Sequence, residues 1–231
     1  MISIVIPTYK EEHAIEKTIR QFEKLEFPHE VIIGDGRSPD NTKNIARAAG
    51  AIVVETPDDV RSPARQRNIG AQTATGEFIM FIDSTVILPD INAFVQQALK
   101  HFDNPRVVGL AVRQRIYPEV ETFADRVMLG ITNMLLHLQV MGSGKFMMTR
   151  RSSYDAIGGL DENLIAGEDQ DFFRRLKKIG TVIHDPKLTF LYSGRREHAW
   201  GWPKLIYIWM RELLSILIFG KSVSKEWSTI R

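Results

Sequence analysis

The 231-residue chain has no cysteine. This excludes disulfides, thiolate metal sites and cysteine nucleophiles, fits a reducing cytoplasm, and leaves metal ligation to Asp, Glu and His. No run reaches the roughly 18 apolar residues of a spanning helix, so a soluble protein, or one peripheral at the inner face of a membrane, is expected. The opening "MISIVIPTYKEE" has no basic segment before its apolar run and reads as a first strand, not a signal peptide. The Gly-x-Gly-x-x-Gly turn of dinucleotide enzymes is missing; Pro7-Thr8-Tyr9-Lys10 stands there instead, too bulky for close backbone approach to a pyrophosphate. No Walker A sequence, internal repeat, low-complexity tract or long Pro/Gly linker occurs. A strong overall charge is missing too. The net value is +2, and the excess sits at the end, where positions 195–231 carry seven Lys/Arg against three Glu. An anionic surface or a phosphate could feel that local excess; a solvated tail is the plain alternative.

What is present is an alternation of strand and helix patterns through the first 85 residues. "SIVIP", "EVIIGD", "AIVVE" and "EFIMFID" read as strands. Between them "AIEKTIRQFEKL", "DNTKNIARAAG" (stopped by Gly50) and "SPARQRNIGAQTA" read as helices, the last with Ser62 as N-cap and Pro63 at its first position. This predicts an α/β fold with a mostly parallel Rossmann-like sheet and helices on both faces. Later come a helix in "INAFVQQALKHF", a long strand in "RVVGLAVRQRIY", an apolar helix over 121–140, a strand in "GKFMMTR", a short helix, a helix opened by "GEDQDFFRRLKKIG", and short strands near 181–184 and 188–192. In such a sheet ligands bind beyond the carboxyl ends of the strands, so Pro7, Tyr9, Asp35, Glu55 and Asp83 are candidates for one crevice.

Three constellations carry chemistry. In "GDGRSPDNT", Asp35 ends a strand before a tight turn into a helix; it can accept from a base edge or ribose hydroxyls, or merely cap the turn. In "GEDQDFFRRL", Glu168, Asp169 and Asp171 open a helix whose dipole favours acids; one carboxylate there could also be a general base. In "SGRREHAW", Arg195 and Arg196 suit a phosphate clamp, and His198 suits a metal or a structural hydrogen bond. The stretch "WPKLIYIWMRELLSILIFG" is an apolar helix with a narrow polar stripe of Lys204, Arg211 and Ser215. It needs cover from the core, a second subunit (a homodimer) or a membrane surface.

Taken in order, "IVIPTYKEE", "IIGDGRSPDNT", "ARQRNIGAQTATGEFIMFIDS", "RRSSYDAIGGLDENLIAGEDQDFFRRL" and "SGRR" resemble a family 2 glycosyltransferase of the GT-A fold over roughly residues 1–196. The resemblance implies a catalytic domain over 1–196, with a nucleotide-binding half at 1–85 and an acceptor-binding half at 86–196, followed by a basic, apolar helical tail over 197–231. It implies that Asp35 binds the base within a wall of Pro7, Tyr9 and Glu11. Arg67 and Asn68 would lie near the nucleotide, with Arg65 close by, and Asp83 would contact ribose and a metal-diphosphate group. Asp169 would be the general base with Glu168 orienting it, and Arg195 and Arg196 would form a basic loop closing over the diphosphate. The departure is Thr85, where the family's Asp-x-Asp has a second acid. A divalent ion (Mg or Mn) would then rest on Asp83 with waters and the diphosphate, joined by His198 or His184, or the arginines would carry the charge; Asp83 with His198 is the preferred set. The activity implied is inverting transfer from a UDP- or GDP-sugar to a sugar hydroxyl or a polyprenyl-phosphate acceptor, with no nucleic-acid partner. The rivals are a nucleotide-sugar-binding protein without turnover, motivated by Thr85, and a nucleotidyltransferase.

Overall fold

A computed structural model of the chain describes residues 1–57, 62–219 and 221–224; the last part of the expected tail, 225–231, lies outside the described residues. Seven strands form one sheet: β1 (Ile2–Thr8), β2 (His29–Asp35), β3 (Ile52–Glu55), β4 (Phe78–Ile82), β5 (Val107–Ile116), β6 (Phe146–Arg150) and β7 (Thr181–Tyr192), in the order β3-β2-β1-β4-β6-β5-β7. All neighbouring pairs are parallel except those of β6, which runs antiparallel to both β4 and β5. The expected α/β architecture is therefore present.

The near-continuous apolar character of β1 follows from cover on both faces. Ile2, Ile4 and Ile6 enter one core with α1 (Ile15–Arg20), the short 3-10 turn after it, and α4 (Ile91–His101). Val5 points into the other, with α3 (Pro63–Thr73) and α7 (Glu168–Leu176). The remaining helices are α2 (Thr42–Ala48), α5 (Phe123–Gln139), α6 (Arg151–Ala156), α8 (Arg195–Trp200) and α9 (Trp202–Phe219). Pro63 opens α3 as expected, but Ser62 makes no capping bond with its side chain; its hydroxyl is buried without a partner among the described residues. The two short strands expected near 181–192 are one strand, β7, whose register against β5 jumps between Asp185 and Thr189, where Pro186 cannot donate to the ladder. The basic stretch expected as a loop is helical, Arg195 and Arg196 forming the first turn of α8 behind Gly194.

Two features of the topology place the site. The strand order reverses between β1 and β4, which opens a crevice beyond their carboxyl ends. Because β6 runs the other way, its beginning lies at the same edge: Ile82 faces Phe146 in the ladder, and the Asp83 amide donates to the Lys145 carbonyl at 3.1 Å. The loop before β6 therefore meets the acid after β4.

Candidate active site

Arg67 is brought to the crevice by close packing of α3 on the sheet. A Cβ on Gly34 would lie 1.8 Å from the Gln66 carbonyl oxygen, and one on Gly70 would lie 2.5 Å from Val5 Cγ1, so only glycine at both positions lets this helix sit so low. From there Arg67, 2% exposed, donates to Glu168 Oε1 at 2.7 Å, Asp83 Oδ1 at 3.0 Å and the Gly144 carbonyl at 2.7 Å. α7 delivers Glu168 and Asp169 on its first turn and is fixed by Phe172, Phe173 and Leu176, all fully buried. Each of these side chains contributes roughly 1.5–3 kcal/mol of apolar burial. Asp169 Oδ2 accepts from the Gly144 amide at 2.6 Å, and its Oδ1 from the Gln170 amide at 2.8 Å. The third acid, Asp171, serves the helix itself by accepting from Arg174 and Arg175.

One guanidinium thus faces three carboxylates. Arg67 holds its proton more firmly than usual: burial works against its charge, but Asp83 and Glu168 outweigh that cost. The carboxylates cannot all be neutralised by it. Burial pushes Glu168 up to about 7, Asp169 next to it adds to the rise, and Arg67 opposes it. The most buried acid of the group is the one that keeps a proton. Asp169 is half-exposed at the rim, held by two amides and open to what occupies the crevice.

On the nucleotide side of the expectation, Pro7 is buried near the end of β1 and Tyr9 is half-buried just beyond it. Asp35 is fully buried and accepts from Thr8 Oγ1 at 3.0 Å, the Ser38 amide at 2.6 Å and Ser38 Oγ at 2.7 Å. Glu11 forms a two-point ion pair with Arg195, one arm at 2.9 Å, which joins the loop after β1 to α8. The Arg196 guanidinium lies over the Trp200 ring at 4.9 Å; burial lowers its pKa, and the charge of Asp83 opposes this.

Arg67, Asp83, Glu168 and Asp169 therefore converge, Glu11 and Arg195 pair, and Arg196 feels Asp83. Two expected residues are occupied elsewhere. Asn68 donates to the Leu160 carbonyl and Glu162 and accepts from Tyr154 and the Leu160 amide, so it fastens the 158–162 turn. His198 Nε2 lies 2.9 Å from Asp125 Oδ2, and Trp202 Nε1 donates to Asp125 Oδ1 at 2.8 Å. Against the cost of burial, the Thr122 amide, His198, the Thr122 hydroxyl and Trp202 hold Asp125 down to about 2. His198 thus has a structural partner in place of the metal expected for it, and His184 packs on His137, their Nδ1 atoms 3.2 Å apart. Gly144, Lys145 and Asp125 were not foreseen as site or support residues. The one signal available for the first two was the "GSGK" turn ahead of a strand.

Among the described residues no group of three or more His, Asp or Glu is placed to hold a metal ion. Asp83 is half-exposed, with one oxygen on Arg67, and Thr85 is tied by its carbonyl to the Tyr117 hydroxyl and by its Oγ1 to Ser193. This donor set fits an ion that arrives with a diphosphate and needs one protein carboxylate, since magnesium is commonly held by one or two carboxylates, waters and substrate phosphates.

The family model described as Glycosyl transferase family 2 matches residues 3–158. The chain is 25% identical over 202 residues to the O-antigen chain rhamnosyltransferase WbaN of Salmonella anatum, covering 78% of this chain and 62% of that protein. It is 27% identical over 194 residues to the succinoglycan biosynthesis protein ExoA of Rhizobium meliloti, covering 78% and 59%. The chain thus spans about three fifths of the length of these curated relatives. The solved mannosyltransferase PcManGT from Pyrobaculum calidifontis, in complex with GDP-Man and Mn2+, superposes with a TM-score of 0.70 at 19% identity, covering 86% of this chain and 59% of that one. That likeness bears out the GT-A fold.

Proposed function

The chain belongs to glycosyl transferase family 2, and on that premise we propose that it moves a sugar from a nucleoside-diphosphate sugar to an acceptor oxygen with inversion at the anomeric carbon. The observation that carries this reading is the cluster of Arg67, Asp83, Glu168 and Asp169 at the carboxyl edge of β4, with Arg196 of α8 in the field of Asp83 and Arg195 next to it paired with Glu11. Asp169 takes the proton of an acceptor hydroxyl; the oxygen's electron pair attacks the anomeric carbon, and the bond to the diphosphate breaks on the opposite side. A polyprenyl-phosphate acceptor is already anionic and needs only positioning there. Glu168, through Arg67, fixes the floor on which Asp169 and Gly144 rest. Asp35, fully buried with three internal bonds, fixes the turn after β2 inside the wall of Pro7, Tyr9 and Glu11, and accepts from a base or ribose only once that turn opens. Arg195 and Arg196 receive the charge that grows on the leaving diphosphate, where preorganised donors are commonly worth about 3 kcal/mol each.

A Mg or Mn ion, when bound, would be held by Asp83 and would neutralise part of the diphosphate charge. The Mn2+ in the complex of the similar mannosyltransferase supports this. UDP and GDP donors, a sugar or polyprenyl-phosphate acceptor, and a cytoplasmic site of action peripheral to a membrane complete the reading. No helix among the described residues is long and apolar enough to cross a membrane. α9 exposes Tyr207, Met210, Leu213, Leu214, Ile218 and Phe219, a surface for an inner membrane face or a second copy of the chain.

Thr85 favours a second reading, a donor-binding protein without turnover. The test is transfer and donor hydrolysis with UDP- and GDP-sugars beside calorimetric binding. Under the first reading Asp169→Asn lowers turnover by about 10²–10⁴ and leaves donor affinity within a few-fold. Tight donor binding by the wild type, with no turnover on lipid or sugar acceptors, selects the second.

A further inference from the structure

Outside the crevice, a cavity of about 530 Å³ opens between α5, β5 and β7. It is lined by Arg113, Arg115 and Arg126, with Glu121 as the one acid on its wall. Arg115 grips Glu121 through Nε and Nη2 at 3.1 and 3.0 Å, and Arg126 stands 3.5 Å from the same carboxylate. Arg113 has no ion-pair partner among the described residues. The lining therefore carries uncompensated positive charge in a concave place, where fixed donors meet an anion best.

The floor has a further unmet need. Gln114 is 4% exposed and lines the cavity, and its Oε1 is buried with no hydrogen-bond partner. Its backbone is fastened on both sides to Asn133 of α5, at 3.1 and 2.9 Å, so the floor is rigid. That oxygen is closed off from the cavity, so it costs free energy within the fold and leaves the arginines as the groups that meet a ligand. On the helix side the lining includes Gly130, where a Cβ would meet nothing within 4 Å. A mid-helix glycine costs about 1 kcal/mol relative to alanine, and no contact within the chain calls for it here; it leaves room. Beside this lining, Phe123, Val127 and Ile131 follow one another every four residues along α5 and are exposed, an apolar strip next to a basic pocket.

We propose that this cavity is a second anion site that takes a phosphate group. Its lining shares no residue with the cluster of Arg67, Asp83, Glu168 and Asp169 or with Arg195 and Arg196, so the site is distinct from the proposed diphosphate crevice. The carrier is either a lipid, with its chain along the α5 strip, or a soluble phosphate compound; the phosphate chemistry is the same.

The test uses inorganic phosphate and vesicles with the intact chain, comparing wild type with Arg113→Gln/Arg126→Gln. Both side chains are exposed, so the variant should melt within a few degrees of wild type. Saturable phosphate binding that weakens about tenfold for each arginine removed supports the site. Phosphate bound in the crevice by Arg195 and Arg196 would be untouched by these changes, so equal binding by variant and wild type, or no saturable binding by the wild type, overturns it. Co-sedimentation with vesicles containing phosphatidylglycerol but not with pure phosphatidylcholine, lost in the variant, identifies the lipid source. Phosphate binding lost in the variant without any sedimentation of the wild type supports the site with a soluble source.

Discussion

If Glu168 keeps a proton because one guanidinium cannot serve three carboxylates, removing its ionisation should make the protein more stable at neutral pH, and Glu168→Gln tests this. The folded protein holds this proton up to about 7, against an ordinary value of 4.5. Between those limits the native state binds one proton that the unfolded chain has released, so stability falls by about 1.4 kcal/mol per pH unit as pH rises. The contribution is fully present below 4.5 and gone above the folded value, a loss of about 3 kcal/mol in all. Glutamine resembles the protonated acid in shape, still accepts from Arg67 and cannot ionise, so the variant lacks this loss. Urea unfolding at pH 5, 6, 7 and 8 should show the two proteins similar at the lowest pH and the variant pulling ahead up to about pH 7, then staying parallel. Other groups cancel in the difference; Asp169 is coupled to Glu168, so the difference reports proton uptake by the pair. A constant offset across the range, or a wild type that gains on the variant as pH rises, would refute the charge count.

The other expectations follow from the same contacts. Arg67→Leu should cost about 3–5 kcal/mol in unfolding free energy, because it strands a buried acid, and pairing it with Glu168→Gln should recover part of the loss. Asp83→Ala should abolish the gain that Mg or Mn gives to UDP or GDP binding in calorimetry; a gain that persists would remove Asp83 from the diphosphate site. His198→Ala should leave that metal effect within about twofold while lowering stability by about 1 kcal/mol through the lost Asp125 bond; loss of the metal effect would restore His198 as a ligand. Asp125 is depressed to about 2 from 3.8, so the stabilisation it provides is present above 3.8 and lost as pH falls through the folded value. Trp202 emission should shift red in that acid range, and an unchanged spectrum down to pH 2 would contradict the docking of α9 through this acid.

Periodicity was enough to read most strands and helices, since β1, β2 and β4 are apolar runs covered on both faces and α7 is strongly two-faced, but it divided β7 in two and left α8 as a loop. Asp83 at a strand end and Glu168 and Asp169 at a helix start were legible as separate candidates, and only the family resemblance brought them to one site. Strand direction was not. Nothing in "GKFMMTR" says that it pairs antiparallel, and that reversal is what carries Gly144 and Lys145 to the site. Helix phase misled at Asn68: one residue after Arg67 the side chain is turned by about 100°, and its four hydrogen bonds lie on the 154–162 side. The Asp125, His198 and Trp202 knot joins positions more than 70 residues apart, a contact that no local pattern encodes.

The missing second carboxylate at Thr85 has its meaning in the same arithmetic of charge. An acid there would add negative charge two residues from Asp83, beside a cluster in which the pKa of Glu168 is already raised. Thr85 instead accepts from the Tyr117 hydroxyl at its carbonyl and from the Ser193 hydroxyl at its Oγ1, which ties the end of β4 to the ends of β5 and β7. What remains is Asp83 with one oxygen held by Arg67 and the other available. Under the proposed function a diphosphate entering this edge would meet fewer carboxylates than an Asp-x-Asp site would present, together with the two arginines of α8. One of them, Arg195, is paired with Glu11 and would exchange that carboxylate for a phosphate oxygen. The site therefore asks less of a metal ion for charge neutralisation and more of α8 for position.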